Sequence, residues 1–159
     1  IAVPAVASAP TQAEAFEAYS KLWDVYREFE FETDADHSAA VASLISAVVR
    51  PAMQLCPMFV FDGTSIAVGK GLCADVMAMT VTGESLAPVQ IYHDEDKTQR
   101  GVEALLVAGE PFIAFDDLPE GRKVELKFLD RMLTSGAITT RQHYENLPTR
   151  AATLAIRSP

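Results

Sequence analysis

The sequence predicts an α/β fold with a mostly parallel sheet, preceded by N-terminal helices. Three observations carry that reading. Short apolar runs of strand length recur at Met58–Phe61, Val89–Tyr92, Phe112–Phe115 and Ala151–Ile156. Stretches with helical spacing lie between the first three and again after Phe112–Phe115. These helical stretches stop at Gly83, Gly109 and Gly136, where glycine suits the left-handed turn that ends a helix. Strands alternating with helices favour crossover connections, and crossovers make parallel sheets.

The 159 residues are enough for one domain with a sizeable core. Hydrophobic residues make up 49% of the chain and charged residues 22%, which is a globular balance. The net charge of -9 opposes a direct grip on nucleic acid, which relies on Lys and Arg. A local exception is Arg141 to Arg150, with two arginines and a histidine. No apolar run approaches the roughly 18 residues of a membrane span, so no membrane partner is expected. Cys56 and Cys73 lie in apolar sequence and match no zinc spacing. They read as reduced core thiols of a cytoplasmic protein.

The chain starts at Ile1 rather than Met, which suggests a processed product or a piece of something longer. Residues 1–10 read as a flexible tail or linker, rich in Ala, Val and Pro without a basic stretch. Residues 11–36 form an N-terminal helical segment, and residues 37–159 the main domain. Thr11 with Glu14 makes a capping box for a helix to about Phe29. Phe16, Tyr19, Leu22, Trp23 and Tyr26 give that helix one aromatic face suited to packing. Glu28 to Glu32 alternates acid and Phe, as an extended piece does. Asp34 or Asp36 caps a second helix to about Val49, with Ala40, Val41, Leu44, Ile45 and Val48 as its buried stripe. Pro51 ends it.

Met58–Phe61 reads as a strand covered on both faces. A helix from Gly71 to Val81 follows, burying Leu72, Val76 and Met79. Val89–Tyr92 is the second strand, and His93 to Asp96 is an acidic cap for a helix from about Asp96 to Val107. Phe112–Phe115 closes on Asp116 and Asp117, and a helix from about Arg122 to Leu133 comes next. Ile138–Thr140 and Ala151–Ile156 are the last strand candidates.

Two of these stretches carry chemistry. The first is strand Met58–Phe61, a turn, then Val68-Gly69-Lys70-Gly71 opening a helix. A helix start presents orphan N–H donors and the positive end of its dipole, which favours an anion. Lys70 adds a full charge there. Without an anion, a cation at that end opposes the dipole. The pattern G-x-x-x-x-G-K-[ST] is met only in part. Thr64 and Gly71 stand where it asks for glycine and a hydroxyl, and the early glycine falls at Gly63. The second stretch is Phe112–Phe115 with its two acids, one strand and one helix downstream. Such acids hold Mg²⁺ beside phosphates, and ligands in open α/β sheets sit beyond the carboxyl ends of strands. Taken alone, Asp116 and Asp117 equally suit a turn after a buried strand. Asp62 reads as the start of its turn. His37, His93 and His143 read as solvated or capping residues.

A resemblance follows from the order of several runs. They are Arg50-Pro51, Phe59-Val60-Phe61-Asp62, Gly69-Lys70-Gly71-Leu72 with Ala74-Asp75-Val76, Thr82-Gly83, Leu105 to Gly109, Phe112 to Asp117, Leu133-Thr134 and Ala151 to Ile156. Together the chain resembles the P-loop, AAA+-like ATPase domain of phage and mobile-element primase-helicase replication proteins over roughly residues 37–156. The resemblance implies a three-layer P-loop sandwich. Val68, Gly69, Lys70, Gly71 and Leu72 would be the nucleotide-binding run, with Gly69, Lys70 and Gly71 on the phosphates and Leu72 packing. Lys70 and Asp117 would be catalytic, Asp117 polarising the attacking water. Asp116 would hold Mg²⁺. ATP and Mg²⁺ are the implied cofactors, and a homo-oligomer completing the site is the implied assembly. Nucleic acid would be met only indirectly or through further segments. Departures from the family pattern lie at Ala67, at Gly71 without a hydroxyl, and at Arg157 where a polar phosphate sensor is expected. They favour a second reading, a non-hydrolysing relative used as an assembly or interaction module. A third is an unrelated α/β domain whose Gly-Lys-Gly is coincidental.

Overall fold

Capping chemistry sets the first helices. In the computed structural model, residues 7–55, 57–65, 68–92, 94–116, 127–135, 138–141, 146–149 and 153–157 are described. Helix α1 spans Gln12–Val25. Thr11 caps it, and Glu14 accepts from the Thr11 N–H at 2.7 Å while donating its own N–H to the Thr11 hydroxyl. Those bonds hold the Glu14 carboxyl below its usual range. Helix α2 spans Asp34–Val49. Its cap is Thr33 rather than Asp34 or Asp36. Asp36 sits three residues on and accepts from the Thr33 N–H and hydroxyl. The chain divides into two compact units, Ile1–Ala42 and Ser43–Pro159, with the boundary inside α2.

In the first unit, α1 ends four residues before Phe29, and none of its residues is buried. Phe16 is 69% exposed, so the aromatic face is not a core stripe. Burial begins at the helix end, where Tyr26 is fully enclosed. Residues 26–33 are turns and bends instead of an extended piece. The Tyr26 ring meets Phe29 and Phe31 edge-on. A ring edge is positive and a ring face negative, so this packing gains beyond area alone. His37 is half-buried and acts at the C-terminal end of α1, as a capping histidine does. Its ring stacks on Trp23 at 3.7 Å and on Phe31 at 5.0 Å, and its Nε2 lies 3.1 Å from the Trp23 carbonyl.

The second unit holds the sheet. Strands β1 (Met58–Phe61), β2 (Pro88–Gln90), β3 (Phe112–Asp116) and β6 (Thr153–Arg157) form one sheet in the order β1-β6-β3-β2. Every pairing in it is parallel. Between β1 and β2 runs α3 (Lys70–Thr82), and between β2 and β3 runs α4 (Glu95–Ala108). Helix α5 spans Lys127–Thr134. Strands β4 (Ile138–Arg141) and β5 (Asn146–Thr149) pair antiparallel as a separate hairpin. Strand β5 was not foreseen, because Asn146-Leu147-Pro148-Thr149 carries a proline and little β-branching.

Register decides which side chains share a face. Met58 is level with Leu154, and Leu154 with Ile113. Ile113 and Phe115 are buried in one cluster with Val102 and Leu106 of α4 and Phe128, Leu129 and Met132 of α5; Met58 and Val89 pack against it. Alternation along the strands sends Phe112, Ala114 and Asp116 to the opposite face. Helix α3 contributes nothing to that cluster. It packs on β1 and β6 through Cys73, Ala74, Met77 and Ala78.

Burial departs from expectation in three places. The buried side of α3 is one residue away from the expected stripe: Leu72 and Met79 are 56% and 49% exposed. Cys73, Ala74 and Ala78 are small, so that side allows a close approach to the sheet. On α2 the buried line is Ala40, Val41, Ser43, Leu44 and Ala47, while Ile45 and Val48 are exposed. Strand β1 is an edge of the four-stranded sheet, and its Val60 is 55% exposed rather than covered on both faces.

Thr98 on α4 is fully buried, and its hydroxyl accepts from the Tyr92 N–H at 2.9 Å. That bond fixes the exit of β2 onto α4. Thr98→Val should cost about 1–3 kcal/mol by orphaning the Tyr92 donor, whereas Thr98→Ser should retain most of the stability; urea unfolding measures both. His37→Ala should change the emission of Trp23, the one tryptophan, by removing its stacked neighbour. Unchanged emission would mean that the stack does not hold in solution.

Candidate functional site

All four strands of the main sheet end in one row. Gln90 ends β2 and is level with Asp116, which ends β3. Phe61 ends β1 and is level with Arg157, which ends β6. Phe115 is level with Ile156, so the next step sets Asp116 beside Arg157. The row therefore reads Gln90, Asp116, Arg157, Phe61. The turn carrying Lys70 leaves the sheet at one end of this row, and the acid stands two strands away. At the usual strand spacing that is about 10 Å between the backbones of Phe61 and Asp116.

The turn is built by two glycines for different reasons. Gly69 has φ 90°, a left-handed conformation that side chains disfavour. It is the N-cap of α3 and has no side chain to cap with, so the helix start lacks a side-chain acceptor. Its carbonyl accepts the first helical bond, from Cys73 at 2.9 Å. Gly63 is needed for closeness instead. A Cβ there would lie 2.6 Å from Val68 Cγ2 and 3.4 Å from Lys70 Cδ. The turn is thus folded back on itself, with Val68 and the Lys70 stem against Gly63. Asp62 begins it, accepting from the Gly63 N–H at 2.7 Å.

Lys70 is the first residue of α3 and is half-buried. Its ammonium donates to the Ser65 carbonyl at 3.2 Å, bracing the turn. Gly71 follows in the first turn of the helix, also half-buried. Val68 is 48% exposed and Leu72 56%. Asp116 is half-buried at the end of a strand whose other four residues are buried. Asp117, His93, His143, Cys56 and Ala67 lie outside the described residues. Cys73 sits one turn into α3, and burial pushes its thiol up to about 11, so it is a neutral core thiol at pH 7.

Of the expected site residues that are described, the lysine turn and Asp116 both lie at carboxyl ends of parallel strands. Gln90 belongs to the same row and was missed by the sequence reading. Its signal was a polar residue inside the apolar run Val89–Tyr92, but only the register ties it to Asp116. Among the described residues, no group of three or more His, Cys, Asp or Glu is placed to hold a metal. Mg²⁺ is ordinarily held by one or two carboxylates together with substrate phosphates and water, so the single carboxylate that Asp116 offers is compatible with that ion. No helix among the described residues is long and apolar enough to cross a membrane.

No protein-family model matches this chain, and no curated protein matches it.

The packing around Gly63 gives a direct test of the turn. Gly63→Ala should destabilise by about 1–3 kcal/mol, because the new methyl overlaps Val68. Adding Val68→Ala to the same chain should recover most of that loss in thermal unfolding. An additive loss instead would mean that the two do not touch.

Proposed function

We propose that residues 43–159 form a P-loop ATPase-like domain in a three-layer sandwich, binding ATP with Mg²⁺ at the carboxyl edge of the sheet. The observation that carries this reading is the level row of strand ends, which brings the Lys70 turn and Asp116 to one edge. The direction of Asp116 also supports it. Asp116 lies on the sheet face opposite the α4 and α5 cluster, and α3 contributes nothing to that cluster. The third support is the place of β6 between β1 and β3. In the family that the sequence resembles, the closing strand carries the phosphate sensor, and here that strand ends between the lysine turn and the acid.

In this reading the N–H groups opening α3 and the Lys70 ammonium hold the phosphates. Val68 and Leu72 flank them with exposed apolar surface. Asp116 holds Mg²⁺, which when bound neutralises charge on the β- and γ-phosphates. Asp117 orients the water for in-line attack on the γ-phosphate. Catalysis comes from positioning and charge. Binding of phosphate would pull the Lys70 ammonium off the Ser65 carbonyl. The domain would work in a mobile-element replication protein, in the cytoplasm. Nucleic acid would be gripped by other segments or by an oligomer, since the chain is acidic.

A second reading has its own support. Gly71 brings no hydroxyl to the metal, and α3 exposes an apolar line at Leu72 and Met79. Those features suit a non-hydrolysing relative that binds nucleotide and assembles with copies of itself.

Nucleotide binding with and without Mg²⁺, by titration calorimetry, tests the first reading. Lys70→Ala should weaken ATP binding at least about tenfold, the equivalent of one charged hydrogen bond. Asp116→Asn should remove the tightening by Mg²⁺ and leave Mg²⁺-free binding intact. Equal affinity in wild type and Lys70→Ala would refute the site. Mg²⁺-dependent binding without turnover in the assembled protein would select the second reading.

A further inference from the structure

The first unit holds a pocket of about 310 Å³ that the nucleotide reading does not use. It lies between the end of α1 and the start of α2. Phe29, Phe31 and His37 line it together with Glu30, Glu32 and Asp34. The aromatic side is held in place by the fold itself. Tyr26, fully enclosed, meets Phe29 and Phe31 edge-on, and His37 stacks between Phe31 and Trp23. Other acids of this unit already have structural partners. Glu14 and Asp36 bond to the threonine caps of α1 and α2, and Glu17 and Glu28 pair with Lys21 and Arg27. Those are the only Lys and Arg residues in the first unit. Among the described residues, the carboxylates of Glu30, Glu32 and Asp34 accept no hydrogen bond and join no ion pair, and all three residues are exposed. The start of α2 adds only about half a positive charge beside them, so the pocket is net negative.

We propose that this pocket docks an arginine side chain from a basic segment of a protein partner. Charge complementarity argues for the occupant. Three carboxylates without a cation repel one another, and an arriving cation relieves that repulsion. The aromatic side selects guanidinium over ammonium. Guanidinium is planar and weakly hydrated, so it lies against rings, and its paired N–H donors match a carboxylate. The volume is at the small end of ligand pockets, which suits one side chain rather than a large cofactor. Glu30, Glu32 and Asp34 also spread over five residues, so a second cation of the same segment finds a carboxylate nearby. The same negative charge turns nucleic acid away. This docking site lies in the first unit and is independent of the nucleotide reading.

The experiment is titration calorimetry of the full chain at low ionic strength. The probes are the peptide acetyl-Gly-Arg-Gly-Arg-Gly-amide, its lysine and citrulline counterparts, and methylguanidinium alone. The arginine peptide should bind saturably, about threefold or more tighter than the lysine peptide. The uncharged citrulline peptide should not bind. Glu30→Gln/Glu32→Gln changes two exposed carboxylates and should leave thermal unfolding unchanged. It should weaken the arginine peptide about fivefold or more. Glu84→Gln/Glu110→Gln removes the same charge at exposed positions outside the pocket and should stay within about twofold of wild type. Equal losses in the two double variants would mean attraction to the acidic chain as a whole, and would overturn the pocket. Wild-type affinity in Glu30→Gln/Glu32→Gln, or citrulline bound as well as arginine, would do the same. Equal affinity for lysine and arginine would overturn the part given to the aromatic side. Methylguanidinium bound as tightly as the peptide would replace the protein partner with a small cation. No binding of the arginine peptide to the wild type would overturn the proposal outright.

Discussion

The parallel register of the four-stranded sheet is the constraint on which the rest depends. Three pairings of neighbouring strands fix it, and together they end Gln90, Asp116, Arg157 and Phe61 in one row. A parallel strand delivers its carboxyl end to the same edge as its neighbour, and each crossover returns the chain to the far edge. The lysine turn and the acid share one edge for that reason, though α3, β2 and α4 separate them in sequence. A slip of one residue in β3 would turn Asp116 into the α4 and α5 core and send Phe115 out of it. Burial of Ile113 and Phe115 therefore also holds the acid in place.

The turn before α3 answers to a different constraint. It must pack tightly enough to aim a helix start at the sheet edge. Gly63 allows Val68 and the Lys70 stem to lie against the backbone, and Gly69 takes the left-handed conformation that starts the helix. The Lys70 bond to Ser65 then closes the turn on itself. A cation at this helix end opposes the dipole, and the Ser65 carbonyl that accepts from it offsets part of that repulsion.

Much of this was legible from residue order alone. Apolar runs marked β1, β3 and β6, and the glycines at 83 and 109 marked the ends of α3 and α4. The positions of Lys70 at a helix start and Asp116 at a strand end followed from the same patterns. Less was legible about burial. The stripe on α3 fell one residue away, because small side chains at Cys73, Ala74 and Ala78 set the contact and hydropathy does not weigh closeness. The Thr33 cap was masked by two acids just after it. The His37 stack was hidden because its partners, Trp23 and Phe31, come from either side of a turn that the alternating Glu and Phe made look extended. The hairpin of β4 and β5 and the neighbourhood of Gln90 are matters of pairing, which periodicity within one segment does not encode.

The most direct test of a nucleotide at this edge is a map of backbone amide shifts on adding ADP and Mg²⁺ to the labelled protein. Binding at the row of strand ends requires the largest shifts at Gly69, Lys70, Gly71 and Leu72, with a second, Mg²⁺-dependent group at Asp116 and Gln90. Shifts confined to other parts of the chain, or shifts at α3 with none at the end of β3, would contradict a site shared by the lysine turn and the acid.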